Sequence, residues 1–141
     1  MALDQLYQQL ILEHNRSPRN FGPLAGVTHS ARGLDALCGD DMLLELRVEG
    51  GKVVDAAFSG ETCAVTRASA SLLTDWLPGR DEAEVHSGFE SFKALLDGKA
   101  VESAHQLGDF QKLDVLGRFP SRRRNAELPW RCAIDALRQV D

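Results

Sequence analysis

An alternating strand followed by a glycine pair places the strongest constraint on the fold of this chain. From Met42 to Glu49, apolar residues alternate with residues that are mostly charged, as in a strand with one buried face. Gly50 and Gly51 follow, and a glycine pair favours a tight hairpin turn because the central residues of such a turn have positive φ. The sequence therefore predicts an antiparallel hairpin whose second strand runs from Val53 to Ser59.

Helical patterns flank this hairpin on both sides. Apolar residues fall on a helical spacing from Leu3 to His14, and Ser17-Pro18 ends that pattern. After the hairpin we expect two helices, one over residues 62–76 with Thr62 capping its start, and one over residues 81–97. A less regular stretch separates them from a last helical region.

The last helical region begins at Phe119-Pro120 and is expected to run to about Val140. Pro129 lies within it, where a proline must start a new segment or kink the helix. The order of helix, strands and then helices predicts the α+β class, with helices covering one face of a small antiparallel sheet. A length of 141 residues with 43% apolar content predicts a single domain over residues 1–141.

Charge and composition exclude several classes of function. The net charge of −5 argues against general nucleic-acid binding. The N-terminus lacks the basic start of a signal peptide, and no stretch is long enough to cross a bilayer, so a cytoplasmic location without membrane contact is expected. Six arginines make the C-terminal quarter locally basic: Arg118, Arg122, Arg123, Arg124, Arg131 and Arg138. This cluster favours first a solvated helix face and second the docking of an acidic protein partner.

Two of the three cysteines stand where local structure would make them reactive. Cys38 lies in a loop between two predicted strands, where Gly39 frees the backbone and Asp40 aims a carboxylate at the same point as the thiol. Cys63 lies at the predicted first turn of a helix, where free amides and the helix dipole are expected to lower the pKa of the thiol. For either cysteine alone, a structural role is the commoner alternative.

Together, Cys38, Asp40 and Cys63 provide three of the four donors of a tetrahedral zinc site. The same thiolates could instead ligate an iron-sulfur cluster, and the spacing does not choose between the two. Asp41 is expected to begin a strand rather than to bind metal. No phosphate-binding loop, serine elbow or acid-base pair of carboxylates indicates a self-contained enzyme.

Four segments, in order along nearly the whole chain, resemble the U-type iron-sulfur scaffold family, which includes the SufU, IscU and NifU N-terminal proteins. They are LYQQLILEHNRSPRNFG with His14, Pro18, Arg19, Asn20 and Gly22, then CGDD, SGETCAVTRASASLLT and FPSRRRNAELPW. The long stretch after Cys63 is similar to that of the SufU branch rather than the shorter IscU branch. The resemblance implies an α+β scaffold that works with a cysteine desulfurase in building iron-sulfur clusters.

The resemblance also implies a metal site made by three cysteines and an aspartate. Cys38, Asp40 and Cys63 match three of these ligands, with zinc or an iron-sulfur cluster as the implied cofactor. Asn125 stands at the position of the third cysteine, and its neutral amide is a poor zinc donor, so a weak or incomplete metal site is expected. Asp35-Ala36 also replace the usual Asn-Pro before the first ligand.

Cys132 invites substitution for the missing ligand because it follows Asn125 by seven residues. In an unbroken helix it would lie about 10 Å further along the axis, so a buried apolar role is the default expectation. Arg122 is expected to be either a surface base or a residue that docks a partner or lines the site, and His14 a hydrogen-bonding residue at a helix end.

Three functional hypotheses follow from these residues. The first is an iron-sulfur cluster assembly protein, a sulfur acceptor or scaffold that works with a cysteine desulfurase, with apo iron-sulfur proteins as further candidate partners. In this hypothesis Cys38 is the candidate persulfide acceptor, and Asp40 and Cys63 hold a weak or incomplete metal site. The second is a metal-free regulatory or binding module that docks on the desulfurase, motivated by Asn125. The third is a complete cluster scaffold that uses Cys132 as a ligand.

Overall fold

A three-stranded antiparallel sheet lies at the centre of the computed structural model, which describes residues 3–139 and the side chains from Tyr7 onward. The strands are β1 (His29–Asp35), β2 (Asp40–Glu49) and β3 (Lys52–Glu61), in the order β1-β2-β3. Gly50 and Gly51 have φ values of 59° and 77°, so the predicted hairpin turn is confirmed. As the alternation predicts, one face of β2 is fully buried, with Met42, Leu44 and Leu46. Leu43, on the other face, is 36% exposed.

Within residues 3–139, four α-helices and one 3-10 segment accompany the sheet. They are α1 (Leu3–Arg16), α2 (Ala64–Trp76), α3 (Glu82–Leu96), the 3-10 segment (Ala104–Arg118) and α4 (Pro120–Leu137). Gly108 interrupts the 3-10 segment with non-helical dihedral angles, which fits the irregular stretch expected there. One hydrophobic cluster contains residues of the sheet, the helices and the 3-10 segment. The α+β class is confirmed. The single domain over residues 1–141 stays a prediction.

Two local expectations are corrected. Thr62 does not cap α2, because Cys63 occupies the cap position and the Thr62 hydroxyl is buried without a hydrogen-bond partner among residues 3–139. For Pro129 the alternative of a new segment is wrong, since α4 continues through it, and a kink at this position stays a prediction. The proline itself is buried, so packing against the core maintains the helix although one backbone donor is missing. The predicted end near Val140 lies outside the described residues.

Polar contacts bring α1 and the loop after it onto α2. The His14 Nδ1 atom lies 2.6 Å from the Ser71 hydroxyl, which confirms its hydrogen-bonding role. The Arg19 guanidinium pairs with Asp75 at 2.6 Å, and Asn20 donates to Thr74 and Asp75 from a backbone with a φ of 56°. These contacts hold the end of α1 and the loop after it against the second half of α2.

Two of the C-terminal arginines form ion pairs on the surface of α4. Arg123 pairs with Asp97 and Glu127, and Arg131 pairs with the other oxygen of Glu127. The Arg131 side chain is 56% exposed, as expected of a solvated helix face, whereas that of Arg123 is 26% exposed. Beyond α4, the Gln139 side chain both donates to and accepts from the backbone of Ser30 on β1.

None of the described helices is both long and apolar enough to span a membrane.

Candidate functional site

Two of the three cysteines line one open groove of about 760 Å³. Tyr7, Ile11 and Leu12 of α1 form one wall, and the beginnings of α2 and α4 contribute Val65 and Arg122. Cys38 and Cys63 lie on this surface, half-buried, together with Asn125. The fold therefore brings the two predicted thiols and the predicted substitution to one place.

Cys38 belongs to the tight turn between β1 and β2, and the last helix holds it from the other side. Its backbone N–H donates to the Asp35 carbonyl, and Gly39 takes the positive φ of 72° that the turn requires. Its sulfur lies 3.5 Å from the Asn125 side-chain oxygen and 3.8 Å from the Arg124 Nη2 atom. The thiol thus lies between a neutral acceptor and a cation.

Asp40 forms the polar centre of the site. Its Oδ1 atom accepts the Cys63 backbone N–H at 2.7 Å, and its Oδ2 atom accepts the Thr66 hydroxyl at 2.7 Å. The Asn125 amide donates to the same Oδ2 atom at 2.8 Å. Asp40 is only 3% exposed, so these three donors satisfy a carboxylate that water hardly reaches.

Arg124 and Asp35 form an ion pair beside this centre. The Arg124 Nε atom donates to Asp35 Oδ2 at 2.6 Å, and this guanidinium holds the pKa of the Asp35 carboxyl below its usual range. Asp35 also accepts the Leu37 N–H within the loop. The pair therefore joins the Cys38 loop to α4 through residues that lie 89 positions apart.

The expected activation of Cys63 is wrong in direction. Burial raises the pKa of the Cys63 thiol, and the nearby Asp40 carboxylate raises it further. The backbone at the start of α2 and the Thr66 hydroxyl, 3.3 Å away, act in the lowering direction as the helix position predicts. They do not outweigh the loss of solvent.

Cys132 lies in the core, away from the groove. It is 2% exposed, and its sulfur packs so closely on Gly33 of β1 that a Cβ atom there would approach it to 2.5 Å. Burial raises the pKa of Cys132 to about 12, so the thiol is neutral at physiological pH. These contacts fit the default expectation of a buried apolar residue.

The remaining singled-out residues take roles at the edge of the site. Arg122 lines the groove, with its guanidinium over the Phe119 ring and 3.5 Å from the Tyr7 hydroxyl. Asp41 lies in β2 and forms a two-bond ion pair with Arg32, as expected of a strand residue rather than a ligand.

The donor set does not fit a complete zinc site. Such a site needs four ligand atoms, and within residues 3–139 no group of three or more His, Cys, Asp or Glu side chains is arranged to hold a metal ion. Three protein donors already engage the oxygens of Asp40. Asn125 directs its amide hydrogens, which a cation would repel, at Asp40 Oδ2.

Thr66 and Arg124 are contacts of the site that sequence reasoning missed. Thr66 follows Cys63 by three residues, so helical spacing could have placed it beside the thiol and Asp40. Arg124 carries no comparable signal, because its partners lie in a loop far away along the chain.

Comparison with known proteins agrees with this architecture. The model of the NifU-like N-terminal domain matches residues 6–126. The zinc-dependent sulfurtransferase SufU of Bacillus subtilis is 35% identical, over 92% of this chain and 87% of that protein. The iron-sulfur cluster assembly scaffold protein IscU of Streptococcus pyogenes is 27% identical, over 97% of this chain and 86% of the relative.

Solved structures share the fold at lower identity. A putative iron-sulfur cluster assembly scaffold protein from Fervidobacterium islandicum superposes with a TM-score of 0.85 at 23% identity, covering 95% of this chain and 98% of the other. The N-terminal part of a NifU-like protein from Brucella abortus superposes with a TM-score of 0.85 at 22% identity, covering 97% and 96%. Because the domain model spans most of the chain and the SufU likeness nearly all of it, this protein belongs to the NifU-like N-terminal domain family.

Proposed function

We propose that this protein takes part in iron-sulfur cluster assembly as a sulfur acceptor, with Cys38 as the acceptor and a cysteine desulfurase as the donor. The observation that carries the proposal is the position of Cys38, half-buried on an open groove and flanked by Arg124. Family membership and the likeness to a sulfurtransferase support it. Apo iron-sulfur proteins are the proposed final recipients, and the cytoplasmic location stays a prediction.

The transfer step is a thiol-persulfide exchange. The Cys38 thiolate attacks the terminal sulfur of a persulfide on the desulfurase, so a new sulfur-sulfur bond forms on Cys38. The sulfur-sulfur bond of the donor breaks, and its cysteine leaves as a thiolate. Sulfur changes carrier without a net oxidation, so the step needs no further oxidant or reductant.

Residues around the groove have defined parts in this step. Arg124, 3.8 Å from the Cys38 sulfur, is placed to attract the negative charge of the thiolate and then of the persulfide. Arg122 and the apolar wall of α1 provide a surface on which the donor's cysteine-bearing segment can lie. Neither zinc nor an iron-sulfur cluster, the cofactors implied by the resemblance, enters this step.

Labelled sulfur tests the proposal directly. The protein is incubated with a cysteine desulfurase and sulfur-labelled cysteine, and protein-bound label is counted after the two proteins are separated. Wild type and the matched control Cys132→Ser should carry label, because Cys132 lies in the core. Cys38→Ser should carry none. Label on Cys38→Ser equal to that on wild type, or no label on wild type, would overturn the proposal.

A second candidate is the metal-free module that regulates the desulfurase. The observation in its favour is Asn125, whose amide contacts Cys38 and Asp40. A thiolate at this position would be the further ligand that a metal site needs. This candidate predicts that the protein binds the desulfurase and changes its turnover without acquiring label. Tightly held, stoichiometric zinc in the purified protein would exclude it. The scaffold that uses Cys132 finds no support in the burial of that residue.

A further inference from the structure

Three structural segments meet at the groove, and each must be held in place if the thiols are to keep their positions. Cys38 comes from the turn between β1 and β2, Cys63 from the start of α2, and Asn125 from α4. Neither half-buried thiol forms a disulfide in this structure. Some other interaction must therefore join the segments.

At the groove, side-chain hydrogen bonds join all three segments, in addition to the packing of their elements in the core. Asp40 at the start of β2 joins α2 through the Cys63 N–H and the Thr66 hydroxyl, and joins α4 through the Asn125 amide. Asp35 at the end of β1 joins α4 a second time through Arg124. We call these four residues, Asp35, Asp40, Arg124 and Asn125, the clasp.

Burial strengthens the contact between Asp40 and Asn125, whereas the Arg124 side chain of the clasp is 43% exposed. Asp40 and Asn125 are each 3% exposed. If one of them were removed, the other would stay buried without a hydrogen-bond partner to replace the water it lost on folding. The Asp35 side chain is 8% exposed and takes an Arg124 donor at 2.6 Å. Charge-assisted bonds of this kind are shorter and stronger than neutral ones.

We propose that the clasp joins the two thiol-bearing segments to α4 in place of a metal ion, so that the site is fully assembled in the metal-free protein. Asn125 has the central part, since its amide donates to Asp40 while its oxygen faces the Cys38 sulfur. The inference rests on these contacts and not on the proposed sulfur transfer. A failed labelling experiment would leave it standing.

Metal analysis and thermal unfolding of the wild type and of Asn125→Cys provide the first test. After treatment with a chelator, wild type should unfold at a temperature within about 1 °C of that measured with excess zinc. Asn125→Cys should unfold at a lower temperature than wild type when stripped, because its thiol cannot donate as the amide does. Zinc should then raise its midpoint by about 5 °C or more, with about one zinc bound per chain.

Two results of that test would overturn the inference. One is a wild-type protein that holds one zinc per chain tightly and gains about 5 °C from it. The other is an Asn125→Cys variant that folds but is no less stable than wild type when stripped of metal. Asn125→Leu provides a further comparison, since it removes both polar contacts at similar size and should lower the midpoint by about 5 °C with or without zinc.

Hydrogen exchange on the wild type keeps the inference testable if these variants fail to fold. In chelator-treated protein, the Cys63 backbone N–H should exchange slowly, because it donates to the buried Asp40 carboxylate. The N–H of Glu102, in the exposed loop before the 3-10 segment, provides the fast-exchanging comparison. If the Cys63 N–H exchanges as fast as an unstructured loop until zinc is added, the clasp does not hold the site.

Discussion

His14 is an ionisable side chain with almost no contact with water. It is 2% exposed, and burial, helped by the neighbouring Arg19 cation, lowers its pKa below the ordinary value of 6.5. Between the lowered pKa and 6.5 the unfolded chain binds a proton that the folded chain does not. The contribution of His14 to stability is therefore complete above pH 6.5 and is lost as the pH falls below it.

We expect wild type to lose up to about 1.4 kcal/mol of unfolding free energy through His14 between pH 7.5 and 5.5. His14→Gln, which can still bond Ser71, should lose correspondingly less over the same range. Urea denaturation at the two pH values measures this difference. Val54→Ala, which changes no titratable group at an exposed site, should keep the wild-type dependence. Equal pH dependence in His14→Gln and wild type would contradict the assignment.

At the scale of single residues, sequence reasoning was right about position and wrong about environment. Cys63 was correctly expected at the start of a helix, and that position does act to lower its pKa. Its burial depends on Asp40 and on the packing of α1, which no local pattern reports. Asp35 was recognised only as an unusual residue before Cys38, because its partner Arg124 follows 89 positions later.

At the scale of elements, α3 shows how much a local signal can specify. Asp81 caps the helix by accepting the Glu84 N–H at 2.9 Å, and the Glu84 side chain accepts the Asp81 N–H in return. This reciprocal pair satisfies two backbone donors that the first turn would otherwise leave open. The predicted helix over residues 81–97 differs from α3 by one residue at each end.

Removal of this cap should weaken the fold measurably. Asp81→Ala should lower the free energy of unfolding by about 1 kcal/mol, because the Glu84 N–H loses its acceptor. Glu102→Ala, at an exposed position outside the helices, should change it by less than about 0.5 kcal/mol. Urea denaturation curves of the two variants give the comparison. Equal stability of the two would show that the capping pair contributes little.

Elements with local signals were predicted well, and elements specified by distant contacts were not. The hairpin of β2 and β3 followed from alternation and two adjacent glycines. The sequence left open whether α4 continues through Pro129 or a new segment starts there, because the burial of this proline depends on contacts with distant residues. The irregular stretch was anticipated, but its 3-10 geometry was not.

At the scale of the whole molecule, one tryptophan holds the helices together. Trp130 of α4 is fully buried, with its ring centroid 4.9–5.9 Å from those of aromatic residues of α2, α3 and the 3-10 segment: Trp76, Phe89, Phe92 and Phe110. These rings join α2 and α4, whose first turns line the groove, to α3 and the 3-10 segment, which do not. The position of α4, and with it of Arg124 and Asn125, therefore depends on an aromatic cluster around the middle of that helix.

Truncation of this residue should affect the entire fold. Trp130→Ala should lower the free energy of unfolding by about 3–5 kcal/mol, since it leaves a large cavity among rigid rings. Val54→Ala, at a side chain that is 41% exposed, should cost less than about 0.5 kcal/mol. Urea denaturation followed by circular dichroism measures both values. A loss below about 1 kcal/mol for Trp130→Ala would contradict the central role of the cluster.

The contact between Gln139 and Ser30 has a consequence for the behaviour of the protein in concentrated solution. β1 is an outer strand of the sheet, and an outer strand exposes backbone groups on which a strand of another molecule can assemble. The Gln139 carboxamide donates and accepts as the backbone of an adjoining strand would. It thereby occupies one backbone position of β1 at which a strand of another molecule would otherwise pair during aggregation.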